Sequence, residues 1–180
     1  MHKVWHFGCR GLKRWPLGTS YTSIVAELEK MTSKPPLVKA RLVIDGTGVG
    51  RPVVDMFRQA RLKAEIIPVM ITSGNKESLQ RAYYHVAKTI LISTLQVLLQ
   101  QRRLQFAKAL PDTATLVKEL ETYRVRVTES ANEVFEAREG KHDDLLLALA
   151  LGCWQGERSR PQGPFRFQVL GAPRVAIIRY

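Results

Sequence analysis

At 180 residues the chain is long enough for one domain with its own core and too short to argue for two. Its apolar content of 45% is that of a globular protein, and no uncharged apolar run reaches the roughly 18 residues of a membrane span. The N-terminal residues Met1 to His6 lack the apolar stretch of a secretory signal. The charge is more informative: 28 Lys and Arg against 16 Asp and Glu leave +12 and a pI near 10.1, which favours a polyanionic partner, nucleic acid first, over a generically basic surface. Cys9 and Cys153 lie far apart, without metal-type spacing, and read as ordinary thiols of a reducing compartment.

Residues 3–15 mix aromatic and basic side chains and predict an edge strand running into a loop. Pro16 to Tyr21 is a turn that offers Thr19 or Ser20 as the cap of a helix. That helix carries Ile24, Val25, Leu28 and Met31 on one face and stops at Ser33-Lys34-Pro35-Pro36. Ala40, Leu42, Val43 and Ile44 predict a short buried strand ending on Asp45; Gly46, Gly48 and Gly50 predict a turn, and Pro52 the first residue of the next helix. With Val53, Val54, Phe57 and Ala60 on that helix and a second strand at 64–71, the segment is a βαβ unit with parallel neighbours.

Residues 74–85 read as an irregular loop. A strong helix follows over 87–102, with Ile90, Leu91, Leu95, Leu98 and Leu99 on its apolar face. Leu104 to Phe106 is a short extended piece, and Pro111-Asp112 starts a helix carrying Leu116, Leu120 and Tyr123. Residues 124–128 and 134–137 alternate like a two-stranded ribbon, and an apolar helix spans 142–154. After Gly156 the sequence turns basic, with strand candidates at 165–170 and 175–180. It is expected as a C-terminal tail (157–180) on one domain (1–156).

Asp45 at a strand's carboxyl end stands where α/β sheets gather ligand chemistry, yet it also suits a helix cap. The glycine pattern is not a nucleotide cradle: its third glycine falls one place early, and Arg51-Pro52 replaces the Lys followed by Ser or Thr of a phosphate loop. Asp143 and Asp144 open the apolar helix, where one can cap it and both sit well at the positive end of its dipole. Rigid carboxylates converging from a strand end and a helix start also suit Mg²⁺, which takes hard oxygen ligands and fills its shell with water and phosphate oxygens. Two such ions about 3.5–4 Å apart can drive phosphodiester hydrolysis. His142 is either an outer partner of such a site or a surface histidine. Arg51, Lys88, Arg102 and Arg103, with Arg158, Arg160 and Arg166 in the tail, are the candidates for phosphate contacts.

With those residues in view, the chain resembles the nuclease domain of large terminase subunits of tailed phages, an RNase H-like fold. The segments that carry the resemblance run in family order: Arg14 to Tyr21, Leu42 to Gly50 with Asp55 and Met56, Ile67-Pro68-Val69 before Thr72-Ser73-Gly74, Ala87-Lys88, Leu116 to Tyr123 with Glu119-Leu120, and Gly140 to Trp154. The resemblance implies a mixed α/β sheet flanked by helices, Asp45 as the second acidic ligand, and Asp143 and Asp144 as the third acidic cluster. It also implies Mg²⁺ or Mn²⁺ as cofactor and cleavage of double-stranded DNA during genome packaging in the cytoplasm of a bacterial host. The terminase small subunit, the portal and a separate ATPase portion would be partners. The family's first catalytic aspartate sits on an initial strand that this chain is expected to lack, as it is expected to lack the ATPase motor. The alternative is therefore a DNA-binding or packaging-associated remnant with impaired catalysis.

Overall fold

The structure, a computed structural model, describes residues 4–127, 133–136, 143–159, 165–171 and 175–179. Its strands are β1 (Phe7–Arg14), β2 (Arg41–Asp45), β3 (Glu65–Thr72), β4 (Glu77–Gln80), β5 (Tyr83–Ala87), β6 (Leu104–Phe106), β7 (Arg124–Val127), β8 (Glu133–Glu136), β9 (Phe165–Gly171) and β10 (Val175–Arg179). The helices are α1 (Tyr21–Thr32), α2 (Gly46–Gln59), α3 (Lys88–Gln100), α4 (Thr113–Thr122) and α5 (Asp144–Ser159). Eight strands form one mixed sheet in the order β4-β5-β3-β2-β10-β9-β1-β6, and β7 and β8 form a separate antiparallel ribbon. In the large sheet β4 and β10 run against the rest.

Side chains alternate across a strand, so one strand feeds two cores. On β2, Leu42 and Ile44 join Ile24, Val25 and Leu28 of α1 and Val53 and Phe57 of α2, whereas Val43 joins Leu91, Leu95 and Leu98 of α3 and the body of α5. The same split places Val175 and Ile177 of β10 with the first group and Ala176 with the second. Burying a side chain such as Phe57 or Leu91 contributes about 1.5–3 kcal/mol, so the two faces hold the sheet between helical layers. Every residue of α5 from Leu145 to Gly156 is buried, as expected of a helix that is apolar all round.

Four expectations are corrected. β1 is no edge strand: it pairs in parallel with β6 on one side and β9 on the other. Residues 77–87 form a hairpin rather than a loop, turned by Arg81 and Ala82, both at positive φ. The supposed glycine turn is the start of α2, with Asp45 as N-cap and Pro52 inside the helix. A Cβ at Gly46 would lie 3.1 Å from the Met70 sulfur, so a larger residue there would push Met70 aside. Finally, the stretch expected as a basic tail supplies β9 and β10, which insert between β2 and β1 in the middle of the sheet. The β-hairpin register, Val175 to Leu170 and onward, fills both edges that β2 and β1 would otherwise expose.

Candidate metal and nucleic-acid site

Three parallel strands deliver chemistry to one edge. Asp45 ends β2, Lys88 follows the end of β5, and Arg14 ends β1. Asp45 is 2% exposed, and its Oδ1 accepts the Thr47 N–H at 2.9 Å. Thr47 in turn accepts the Ile71 N–H on its hydroxyl at 2.6 Å, which ties the start of α2 to the end of β3.

The second acidic stretch reaches the same edge from across the fold. Lys88 Nζ lies 3.1 Å from Asp143 Oδ2, and Arg14 Nη2 lies 2.8 Å from Asp144 Oδ2. In the strand order Lys88 stands two strands to one side of β2 and Arg14 three strands to the other. The first turn of α5, bridged between them, therefore runs along the edge on which β2 presents Asp45. Lys88 also sits over the Tyr123 ring at 5.4 Å, and the Arg14 N–H donates to Asp112 Oδ2 at 3.0 Å. A chain of net charge +12 thus gathers acids at this edge and meets them with two cations.

Two participants had no local signal in the sequence. Arg14 and Glu119 appear there only within segments carrying the family resemblance. Glu119, on α4, is 6% exposed, and its Oε2 accepts the Leu146 N–H at 2.8 Å. Burial pushes its carboxyl up to about 7; the negative charge of Asp144 adds to this, while the Leu146 N–H and Arg14 pull it back. Burial likewise raises both thiols, Cys9 to about 12, so neither is poised for nucleophilic work.

The expected phosphate-contact residues divide. Lys88 is in the site and Arg51 is exposed on α2, which begins at the same edge. Arg102 and Arg103 lie at the opposite edge, beyond the far end of α3. Arg103 is spent there on Glu157, the Trp5 carbonyl and the Phe7 ring. Arg158 pairs with Glu77 and covers Tyr84, beside a cavity of about 380 Å³ lined also by Arg41 and Gln155. His142 and Arg160 are outside the described residues, as is the side chain of Arg166.

Among the described residues no three acidic, His or Cys groups cluster as a ready-made metal cage. The donors nonetheless fit Mg²⁺ in kind: they are carboxylate oxygens on rigid elements, and Mg²⁺ commonly takes one or two carboxylates and completes its shell with water and phosphate.

The family model described as the terminase RNase H-like domain matches residues 20–153. The chain belongs to this family. The terminase large subunits of Thermus phage G20c and Thermus virus P23-45 are each 27% identical to it over 140 residues, which is 78% of this chain. The chain spans about a quarter of the length of these relatives, the match covering 25% of each. The crystal structure of the large terminase nuclease from the thermophilic phage G20c with bound magnesium superposes with a TM-score of 0.58 at 26% identity. That match covers 77% of this chain and 63% of the G20c chain. The mixed sheet flanked by helices is accordingly an RNase H-like fold, as the terminase-type segments of the sequence implied.

Proposed function

We propose that this terminase-family domain is a metal-dependent endonuclease acting on double-stranded DNA, with Asp45, Asp143 and Asp144 as the residues that would hold Mg²⁺ or Mn²⁺. The observation that carries the reading is the α5 turn bearing Asp143 and Asp144, drawn to the Asp45 edge by Lys88 on one side and Arg14 on the other. When bound, a divalent ion polarises the scissile phosphate and lowers the pKa of a water, and a pair of ions also stabilises the leaving oxygen. The protein's own part is to orient and to balance charge. Asp45 is fixed by the α2 N-terminus, and Asp143 and Asp144 by their cations. Lys88 and Arg51 are the side chains that would meet DNA phosphates. The magnesium bound by the G20c nuclease supports the choice of ion. Its relatives being terminase large subunits supports genome packaging as the setting, with a small subunit, a portal and a motor portion as partners.

Purified chain should nick supercoiled plasmid in Mg²⁺ or Mn²⁺ and stop in EDTA, and Asp45→Asn and Asp143→Asn should each lose that activity. Cleavage unchanged in both variants would sink the proposal. A second reading, a DNA-binding module of the packaging machine without catalysis, is favoured by the cations that already meet Asp143 and Asp144. In that case no metal-dependent nicking is seen, duplex affinity falls steeply with salt, and the acid variants bind like the parent chain.

A further inference from the structure

The N-terminal turn of α5 poses an accounting problem. A helix begins with N–H groups that have no partner inside it, and buried N–H groups are almost always satisfied. Leu145 and Leu146 are 0% and 1% exposed, so water is not available to them. The Leu147 N–H is met within the chain by the Asp143 carbonyl at 2.9 Å. The Leu146 N–H, at the third position of the helix, goes instead to Glu119 Oε2 of a different helix at 2.8 Å.

We propose that Glu119 is a positioning residue of the acidic site, a cap supplied in trans by α4 that holds the turn carrying Asp143 and Asp144 where a metal ion can use them. This rests on the metal-binding reading given above. Three features support it. Glu119 shares the buried face of α4 with Leu116, so its backbone cannot drift away from α5. A carboxylate at a helix N-terminus is favoured by the aligned peptide dipoles. Its other oxygen, Oε1, is buried with no hydrogen-bond partner among the described residues, so the site keeps a polar carboxylate at a cost.

Residues that orient metal ligands from behind typically change metal affinity 10–100-fold when removed. Mn²⁺ affinity, measured by titration calorimetry, should therefore fall by that factor in Glu119→Ala and stay within about threefold of the parent in Glu119→Gln, whose amide oxygen still accepts the Leu146 N–H. Amide hydrogen exchange at Leu145 and Leu146 should quicken in the Ala variant and not in the Gln variant. Should Glu119→Ala not fold, Glu119→Asp takes its place, since it keeps the charge and draws the oxygens back by one methylene. Parent-like Mn²⁺ affinity in the Ala or Asp variant, with those amides exposed, overturns the positioning role. If the parent chain binds no Mn²⁺, the nuclease reading fails instead. The cap is then judged on exchange alone, and unchanged protection of Leu146 overturns it.

Discussion

The two edges of the large sheet balance charge differently. At the carboxyl edge, buried or half-buried acids on β2, α4 and α5 outnumber the cations, and each link joins residues far apart in sequence: Arg14 with Asp144, Lys88 with Asp143, Glu119 with Leu146. At the amino edge cations and acids pair one to one. Arg41 pairs with Glu65 and Arg103 with Glu157, while Arg158, near the end of α5, reaches Glu77 of β4, which stands opposite Val86, and lies against the Tyr84 and Trp154 rings. The cavity lies at the amino edge, away from the acids. The cavity and the proposed metal site thus lie at different ends of the sheet. Desolvated acids held in fixed geometry are the feature on which the proposed site rests.

Substitutions that act on one edge and spare the other sharpen this contrast. Asp143→Asn should lower plasmid nicking by on the order of 10²–10³-fold, the scale for losing one group that stabilises charge in a reaction. Arg103→Ala, at the amino edge, should leave nicking within a few-fold, and an equal loss in both would erase the distinction.

A smaller effect is expected from pH. Folded, Glu119 keeps its proton to about pH 7, whereas in the unfolded chain it releases it near the ordinary 4.5. The folded state binds more protons in that window, so stability should fall as pH rises from about 4.5 to about 7 and level off above, by at most about 3 kcal/mol. Chemical denaturation in metal-free buffer measures it. Glu119→Gln should flatten that slope, and a slope identical to the parent's would contradict the assignment.

Smallest is the difference between two arginines. Arg14→Ala removes a cation from Asp144 at side chains only 22% and 17% exposed and should cost about 2 kcal/mol. Arg158→Ala removes a pair whose arginine is 41% exposed, and should cost about 1 kcal/mol including its ring contacts. Denaturant midpoints of the two variants, with unchanged slopes, decide the order.

Much of this was legible in the chain, for physical reasons. The apolar run Leu42-Val43-Ile44, short and followed by Asp45 and glycines, reads as a strand buried on both faces; α3 is legible by its periodicity and α5 by the length of its apolar run. The hairpin of β4 and β5 was hidden because every β4 side chain is exposed and its turn is Arg81-Ala82, with none of the Asn-Gly chemistry such turns favour. Gly46, Gly48 and Gly50 suggested a turn because glycine is a poor helix former, but they lie in the first turns of α2, where Gly46 packs closely on Met70. The strands after 157 were found, whereas their place between β2 and β1 was not, because strand order is a long-range property. Asp45, Asp143 and Asp144 stood out by position. Arg14 and Glu119 did not, since what selects them is a partner more than a hundred positions away in one case and a backbone N–H of another helix in the other.

The most direct test is Mn²⁺ binding by titration calorimetry on the parent chain, Asp143→Asn and Arg103→Ala. Binding in the parent and in Arg103→Ala, abolished in Asp143→Asn, is the predicted result and locates the ion at the carboxyl edge. Equal Mn²⁺ affinity in Asp143→Asn and the parent would contradict the account.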